Sequence, residues 1–223
     1  MTQTQWTAVD EYINDLFVPS DFALDATIQS TIDAELPQIN VAPNQGKLLH
    51  ILTQIRGATR ILELGTLAGY STIWLARALP ADGKLITLEA NSKHAEVARE
   101  NIERAGLSNI VEIRVGAALD TLPQLAAEGQ APFDLVFIDA DKVNIPEYFT
   151  WSLKLTRRGS VIIVDNVVRK GAVIDADSTD ENIQGVRKFN ALLAAEPRVT
   201  ATTIQTVGSK GYDGLAIALV TSD

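Results

Sequence analysis

The chain has 223 residues, of which 46% are hydrophobic and 21% charged, as expected for a globular protein with one substantial core. With 19 basic and 28 acidic residues its formal net charge is −9, which disfavours nucleic acid as a partner and favours a small molecule. Cysteine is absent, which excludes disulfides and thiolate metal sites, and no apolar run reaches the ~20 residues of a membrane span. Together with an N-terminus that lacks a secretion-signal pattern, these features predict a cytoplasmic protein that does not bind membranes.

The first 57 residues are predicted to be helical. Apolar residues recur at helical spacing over residues 9–17 and 24–36, and Pro37 ends the second run. A loop over residues 40–45 is expected before a third helix, which carries the apolar residues of 48–55. These helices pack plainly against the sheet, cap a site, or form the surface of a homodimer.

From residue 60 onwards, short apolar runs alternate with helical patterns. The runs predict strands over residues 60–64, 84–89, 111–115, 133–139 and 160–165, with helices over 71–79, 92–105 and 119–127. A strand–helix alternation of this kind favours a parallel, doubly wound sheet with helices on both faces.

The C-terminal part has a different pattern. A helix over residues 183–195 precedes two strand-like runs, 201–207 and 215–220, and the segment 208–214 between them contains three glycines. The two runs can therefore pair as an antiparallel hairpin. We predict a single α/β domain over residues 1–223. It has an N-terminal helical region (1–57) and a Rossmann-like doubly wound core (58–223), whose mostly parallel seven-stranded sheet ends in that hairpin.

A turn with two glycines follows the first predicted strand. Gly65 lets the backbone turn tightly and lets a ligand approach, and Gly69 lets the next helix begin close to the sheet. Glu89 ends the second strand, where an acid can accept hydrogen bonds from both hydroxyls of a ribose. The pattern E-x-G-x-x-x-G, which begins at Glu63, differs from the G-x-G-x-x-G of dinucleotide sites. A carboxylate beside the turn suits a positively charged sulfonium cofactor better than a pyrophosphate, although a structural turn without a ligand is the alternative.

Acidic and amide side chains follow the fourth and fifth predicted strands. The ends of parallel strands share one edge of the sheet, so Asp139, Asp165 and Asn166 can converge as oxygen ligands of a hard cation such as Mg²⁺. The alternative is that these residues only solvate the strand ends or cap the next helix. Neither motif contains His or Cys, which disfavours zinc, and His50 and His94 are interpreted as ordinary surface or packing residues.

Four motifs, ILELGTLAGYST, LITLEAN, FDLVFIDADK and VIIVDNVV, occur in this order along the chain. With them, the chain resembles the cation-dependent catechol and caffeoyl-CoA O-methyltransferases, and in particular the bacterial members of that family. The resemblance extends from about residue 40 to the C-terminus. It implies a class I S-adenosylmethionine-dependent enzyme that transfers a methyl group, with the help of a divalent metal, to a hydroxyl of a small catechol-like acceptor.

The resemblance also implies a role for individual residues. Cofactor contacts are implied at Val41, Glu63, Gly65, Ser71, Glu89, Ala118 and Asp139. The implied ligands of the divalent cation (Mg²⁺ first, with Mn²⁺ or Ca²⁺ as alternatives) are Asp139, Asp165 and Asn166, and Lys142 is the implied base that helps to deprotonate the acceptor. Ala140 and Asp141 stand where animal catechol enzymes have bulky rings, and residues 167–181, which should border the acceptor pocket, do not identify the acceptor.

Three other functions are weighed against this interpretation. A nicotinamide-dependent oxidoreductase should carry the dinucleotide glycine pattern, which the chain lacks. A non-catalytic nucleoside-binding module could dispense with Asp165, Asn166 and Lys142, and all three are present. An O-methyltransferase acting on RNA nucleosides is disfavoured by the acidic balance of the chain.

Overall fold

The computed structural model describes residues 2–222, which form α-helices around one seven-stranded sheet. The helices are α1 (Gln3–Phe17), α2 (Phe22–Asp33), α3 (Pro43–Arg56), α4 (Tyr70–Ala76), α5 (Ser92–Arg104), α6 (Ala118–Ala127), α7 (Ile145–Lys154) and α8 (Glu181–Ala195), with a short 3-10 segment at Arg169–Ile174. The strands are β1 (Arg60–Leu64), β2 (Lys84–Glu89), β3 (Val111–Val115), β4 (Phe133–Ile138), β5 (Thr156–Asp165), β6 (Val199–Gly208) and β7 (Gly211–Val220).

The sheet has the order β3-β2-β1-β4-β5-β7-β6. The first five strands of this order run parallel, whereas β7 runs antiparallel to both β5 and β6. The predicted fold class, a mostly parallel doubly wound sheet with a C-terminal antiparallel hairpin, is therefore confirmed. The strand order reverses between β1 and β4, and open parallel sheets bind ligands at the carboxyl ends of the strands at such a point.

Side chains of the central strands pack alternately into two hydrophobic cores, because successive residues of a strand point to opposite faces of the sheet. In β1, Leu62 and Leu64 join the core beneath α6, α7 and α8, and Ile61 joins the core beneath α2 to α5. Strand β4 is buried along its whole length, as expected for a parallel strand covered on both faces.

Helix α1 packs beside β6 and α3 at one end of the sheet. Its buried Asp10 accepts hydrogen bonds from Asn44 Nδ2 (2.9 Å) and from the backbone N–H of Ser209 (2.7 Å). A Cβ at Gly208 would lie 2.4 Å from Asp10 Oδ2, so only glycine allows this approach. Asp10 thus joins α1 to the first turn of α3 and to the tip of the β6–β7 hairpin.

Several element boundaries differ from the sequence predictions. Helix α7 was not predicted, and β5 begins at Thr156 rather than at residue 160. The connection expected over 208–214 is shorter, because the strands continue to Gly208 and from Gly211 and leave only a two-residue turn. The loop expected over 40–45 ends early, because α3 already begins at Pro43, a residue that suits the first position of a helix.

Within residues 2–222, no helix combines the length and apolar character needed to cross a bilayer. The division into an N-terminal region (1–57) and a core (58–223) of one domain stays a prediction.

Candidate active site

A cavity of about 570 Å³ opens at the carboxyl ends of β1, β2, β4 and β5. Eight of the ten predicted site residues line it: Val41, Gly65, Ser71, Glu89, Ala118, Asp139, Lys142 and Asn166. The other two, Glu63 and Asp165, are buried directly behind its wall, with 0% and 5% of their surface exposed. The structure therefore gathers the predicted residues around one cleft, as the strand-end argument requires.

Gly65 brings the tips of β1 and β4 together. Its φ is +96°, and a Cβ at this position would lie only 2.1 Å from the carbonyl oxygen of Asp139. A backbone hydrogen bond also joins the two strand ends, since Asp139 N donates to the carbonyl oxygen of Leu64 at 2.9 Å. Glycine is required here by both the left-handed backbone and the close approach.

Glu63 supports the cavity wall rather than lining it, and the cofactor contact expected of it stays a prediction. Its carboxylate is fully buried and accepts hydrogen bonds from Ser71 Oγ (2.7 Å) and Thr72 Oγ1 (2.5 Å) at the start of α4. Burial raises the pKa of Glu63 to about 7, against the opposing effect of these two hydroxyl donors. The side chain thus points into the protein and orients Ser71, which does line the cavity.

Glu89 is held at the tip of β2 by backbone amides. Its Oε2 accepts hydrogen bonds from Thr66 N (3.1 Å) and Leu67 N (2.8 Å), and its Oε1 accepts one from Asn91 N (2.9 Å). Only 8% of the residue is exposed, and that part faces the cavity. The carboxylate is therefore fixed in place before any ligand binds.

His94 lies in the cavity wall beside Glu89, a position that its interpretation as an ordinary surface or packing residue did not include. Its Nδ1 is 3.4 Å from Glu89 Oε1. The sequence signal was its place in the first turn of α5, directly after the acid that ends β2. His50 does behave as a packing residue, with its Nδ1 3.1 Å from the carbonyl oxygen of Trp74.

The acidic side chains after β4 and β5 lie close enough to influence each other. Lys142 Nζ donates to Asp139 Oδ1 at 2.9 Å, and Lys142 is itself only 9% exposed. Burial, reinforced by the negative charge of Asp139, raises the pKa of Asp165 to about 7. Asn166, whose φ is +61°, follows directly and faces the cavity. One carboxylate, one amide and one amine therefore line this end of the cavity, and the second carboxylate, Asp165, lies directly behind them.

Asp165 is held by two hydrogen bonds. Its Oδ1 accepts from the backbone N–H of Asn166 (2.8 Å), and its Oδ2 accepts from Gln45 Nε2 (2.7 Å). Over residues 2–222, no cluster of three or more His, Cys, Asp or Glu side chains forms a metal site. The candidate metal ligands, Asp139, Asp165 and Asn166, do not fall under that description, because the third donor is an amide oxygen.

Further residues of the site were not singled out from the sequence. Gln45 was placed in a loop, although it lies in the first turn of α3. Tyr148 lies on the unpredicted helix α7, lines the cavity, and donates a hydrogen bond to Asp141 Oδ2. Arg169 and Asn182 line the cavity from the segment after β5 and from α8. Of these residues, only Arg169 could have been recognised from the sequence as part of the site, because it follows Asn166 by three residues.

The fold and this strand-end cavity define a class of protein with known members. The family profile described as O-methyltransferase matches residues 16–219. The chain belongs to this family, which confirms the resemblance drawn from its four motifs and the expectation that it is an enzyme.

Individual relatives match over nearly the whole chain. The sequence is 55% identical to the catechol O-methyltransferase of Niastella koreensis, over 99% of this chain and 100% of that protein. The structure is similar to an O-methyltransferase from Bacillus cereus in complex with SAH, with a TM-score of 0.97 and 57% identity over 99% of this chain and 100% of that one. It is also similar to TomG from Streptomyces achromogenes in complex with SAM, with a TM-score of 0.96 and 54% identity over the full length of both chains.

Proposed function

We propose that the protein is an S-adenosylmethionine-dependent, divalent-metal-assisted O-methyltransferase that acts on one hydroxyl of a small catechol-like acceptor. The observation that carries this proposal is the cavity itself. Glu89, the proposed ribose-binding acid, lies at one end of it. At the other end Asp139 and Lys142 line the cavity, and Asp165 is buried directly behind the wall. Relatives of similar structure hold SAM or SAH, and a relative of 55% identity is a catechol O-methyltransferase.

The residues around β1 and β2 fit the proposed cofactor. Glu89 presents a fixed carboxylate to the two ribose hydroxyls, and Gly65, which also lines the cavity, allows the tips of β1 and β4 to meet beside it. Val41 and Ala118 offer apolar surface, and Ser71 adds a hydroxyl oriented by Glu63. S-adenosylmethionine, when bound, supplies a methyl group whose carbon–sulfur bond breaks as its bond to the acceptor oxygen forms.

The donor set after β4 and β5 fits a divalent cation. Burial first, and then the neighbouring charge of Asp139, raises the pKa of Asp165, and a divalent cation bound beside these two carboxylates would offset both effects. Asn166 adds a neutral oxygen, and an all-oxygen set is what Mg²⁺ or Mn²⁺ prefers. Such an ion would stabilise the acceptor in its deprotonated form and fix its orientation.

Lys142 is the proposed proton acceptor. Its amine lies in the cavity wall, 2.9 Å from Asp139, and therefore beside the proposed metal site. In its neutral form it takes the proton of the acceptor hydroxyl, so that the oxygen attacks as a phenolate and the proton remains on the ammonium group. Two adjacent hydroxyls suit a site with several oxygen ligands, which supports a vicinal diol as acceptor.

A small acceptor fits the modest volume of the cavity, and no observation favours an RNA nucleoside or a non-catalytic role. A homodimer remains part of the proposal. It is supported by the exposed apolar side chains of α1, where Val9, Tyr12, Leu16 and Phe17 are each at least half exposed. The cytoplasmic location likewise stays a prediction, which rests on the absence of cysteine.

The proposal is tested by a screen of vicinal diols with labelled S-adenosylmethionine, with and without a chelator. We expect one methylated hydroxyl per diol and loss of transfer on chelation, restored by Mg²⁺ or Mn²⁺. Asp139→Ala should abolish metal-dependent transfer, whereas Asp82→Ala, at an exposed turn before β2, should not alter it. Unchanged turnover in Asp139→Ala would refute the metal role.

A further inference from the structure

The cavity continues beyond the proposed metal site. The strand order places Glu89 at the end of β2, Gly65 at the end of β1, Asp139 after β4, and Asn166 and Arg169 after β5. Neighbouring strands are about 4.8 Å apart, so Arg169 lies on the far side of the metal site from the proposed ribose position. This end of the cavity is where the acceptor would have to lie.

Arg169 presents unused donors at that end. Among the cavity-lining residues, only Lys142 and Arg169 are lysine or arginine, and Lys142 is already hydrogen-bonded to Asp139. The guanidinium of Arg169 has Asp213 as its nearest acid, but the Nη1–Oδ2 distance is 3.8 Å, too long for a hydrogen bond. Within residues 2–222 this guanidinium makes no hydrogen bond, and its side chain is 35% exposed.

The backbone fixes Arg169 in this position. Both Arg169 and Lys170 have φ near +55°, a left-handed conformation that non-glycine residues rarely adopt. Asp213 Oδ1 holds the segment by accepting hydrogen bonds from Val168 N (3.0 Å), Arg169 N (2.8 Å) and Gly214 N (2.9 Å). Strain of this kind persists only where surrounding contacts impose it, and it is found mainly at functional sites. Asp213 thus hydrogen-bonds to the backbone of this segment, whereas its ion pair with the guanidinium is long and leaves the N–H donors without a hydrogen bond to it.

We propose that Arg169 recognises a carboxylate on the methyl acceptor, so that the preferred substrate is a catechol-like acid rather than a neutral diol. This inference rests on the proposed function, since it names a property of that reaction's acceptor. A guanidinium pairs with a carboxylate through two parallel hydrogen bonds, which also fixes the orientation of the ring. A monoanion suits the site better than a dianion, because Asp139 and Asp141 already bring negative charge to this end of the cavity.

Because the protein as a whole is negatively charged, Arg169 matters more for binding an acidic acceptor. With a net charge of −9, the protein repels an acidic acceptor at long range. The guanidinium of Arg169, which lines the cavity and forms only a long ion pair with Asp213, provides a local attraction that opposes this repulsion.

The test compares 3,4-dihydroxybenzoate with its neutral amide, 3,4-dihydroxybenzamide, in the wild-type protein, Arg169→Gln and Lys170→Gln. The two acceptors share the ring and both hydroxyls and differ in charge. Lys170 is the matched control, because it is the adjacent cation, has the same backbone conformation, is exposed and does not line the cavity. Values of kcat/KM are measured with S-adenosylmethionine and Mg²⁺, and Kd values by calorimetry with S-adenosylhomocysteine and Mg²⁺.

We expect the wild-type protein and Lys170→Gln to favour the acid by about tenfold to a hundredfold in kcat/KM and in Kd, as for a charge-assisted hydrogen-bonded pair. In Arg169→Gln the ratio should fall to about one. An equal preference for acid and amide in the wild-type protein, or a preference that survives Arg169→Gln, would overturn the inference. A rise in the KM for S-adenosylmethionine with an unchanged acceptor ratio would also overturn it, because Arg169 would then serve the cofactor's carboxylate. An Arg169-dependent preference in Kd without any methylation would uphold carboxylate recognition and refute the proposed reaction.

Discussion

Gln45 and Asp165 are 120 residues apart in the sequence, and their side chains are joined by a hydrogen bond of 2.7 Å. The bond connects the first turn of α3 with the end of β5. Since the other oxygen of Asp165 accepts the N–H of Asn166, both carboxylate oxygens are held in one orientation. Gln45 therefore positions a proposed metal ligand without lining the cavity itself.

Replacement of Gln45 should weaken metal binding. Groups that orient metal ligands typically contribute ten- to a hundredfold in affinity, so we expect Gln45→Ala to raise the Kd for Mn²⁺ by roughly tenfold or more. Titration of Mn²⁺ followed by electron paramagnetic resonance measures this directly. Gln54→Ala, at an exposed position of the same helix, is the control and should leave the Kd unchanged. Equal affinities in both variants would contradict the positioning role.

Replacement of Lys142 should slow the chemical step. Loss of a general base typically lowers the rate by ~10²–10⁴-fold, and we expect kcat of Lys142→Met to fall within this range, with little change in the Kd for S-adenosylhomocysteine. Steady-state kinetics and calorimetry separate the two effects. The control is Lys188→Met, at an exposed position of α8. A kcat within twofold of the wild-type value would show that another group takes the proton.

Gly65 should tolerate no side chain. In Gly65→Ala the new Cβ meets the carbonyl oxygen of Asp139 at 2.1 Å, and the left-handed backbone adds its own cost, so we expect a loss of roughly 3 kcal/mol or more in the free energy of unfolding. Gly57→Ala separates the two causes, because Gly57 also has a positive φ but a Cβ added there would have no atom within 4 Å. Its expected cost is about 1–2 kcal/mol. Urea unfolding measures both variants, and similar losses would show that the contact with Asp139 is unimportant.

Asp134, which lies far from the cavity, should make the free energy of unfolding depend on pH. Burial alone would raise its pKa, but hydrogen bonds from Thr59, Arg157 and Arg60 outweigh burial and lower the pKa to about 2 from the usual 3.8. A lowered pKa in the folded state stabilises the protein above pH ~4, and this contribution is lost as the pH falls towards 2. The shift corresponds to a contribution on the order of 2 kcal/mol.

Urea unfolding of Asp134→Asn between pH 7 and pH 2 tests this dependence. The variant should be less stable than the wild-type protein at pH 7, and the difference should shrink below pH 4. Asp82→Asn, at an exposed turn, should show no such trend. A constant difference between Asp134→Asn and wild type at every pH would contradict the assignment.

The sequence predicted those features that local patterns specify. Buried parallel strands such as β4 are mostly apolar, and the acids at their carboxyl ends stand out, so the strand-end residues of the cavity could be named in advance. The hydrogen-bond partners of Glu63 and Asp165 could not, because whether a carboxylate faces a cavity or turns inward depends on neighbours from other elements.

The features that were not predicted, or were predicted wrongly, lack a clear local pattern in the sequence. Helix α7 begins with Ile145-Pro146, and its mixture of aromatic and polar residues gives a short, weak helical signal beside two strong strands. Gly211 and Gly214 were interpreted as connection residues, although they lie within β7, where Gly214 fits against Val168. Arg169 lies in the segment expected to border the acceptor pocket, but it was not singled out there, because its left-handed backbone is held by Asp213, 44 residues away.

The contact of Asp10 with Ser209 bears on the order in which the chain folds, because the two residues are 199 positions apart. At roughly 5–20 residues per second, a ribosome needs on the order of 10–40 s to add the intervening segment. During that time α1 lacks its partner at the hairpin tip, and Asn44 lacks an anchored Asp10 to bond with. Docking of the amino-terminal helix against the hairpin tip is therefore among the last events of vectorial synthesis, and it occurs only after the final two strands have emerged.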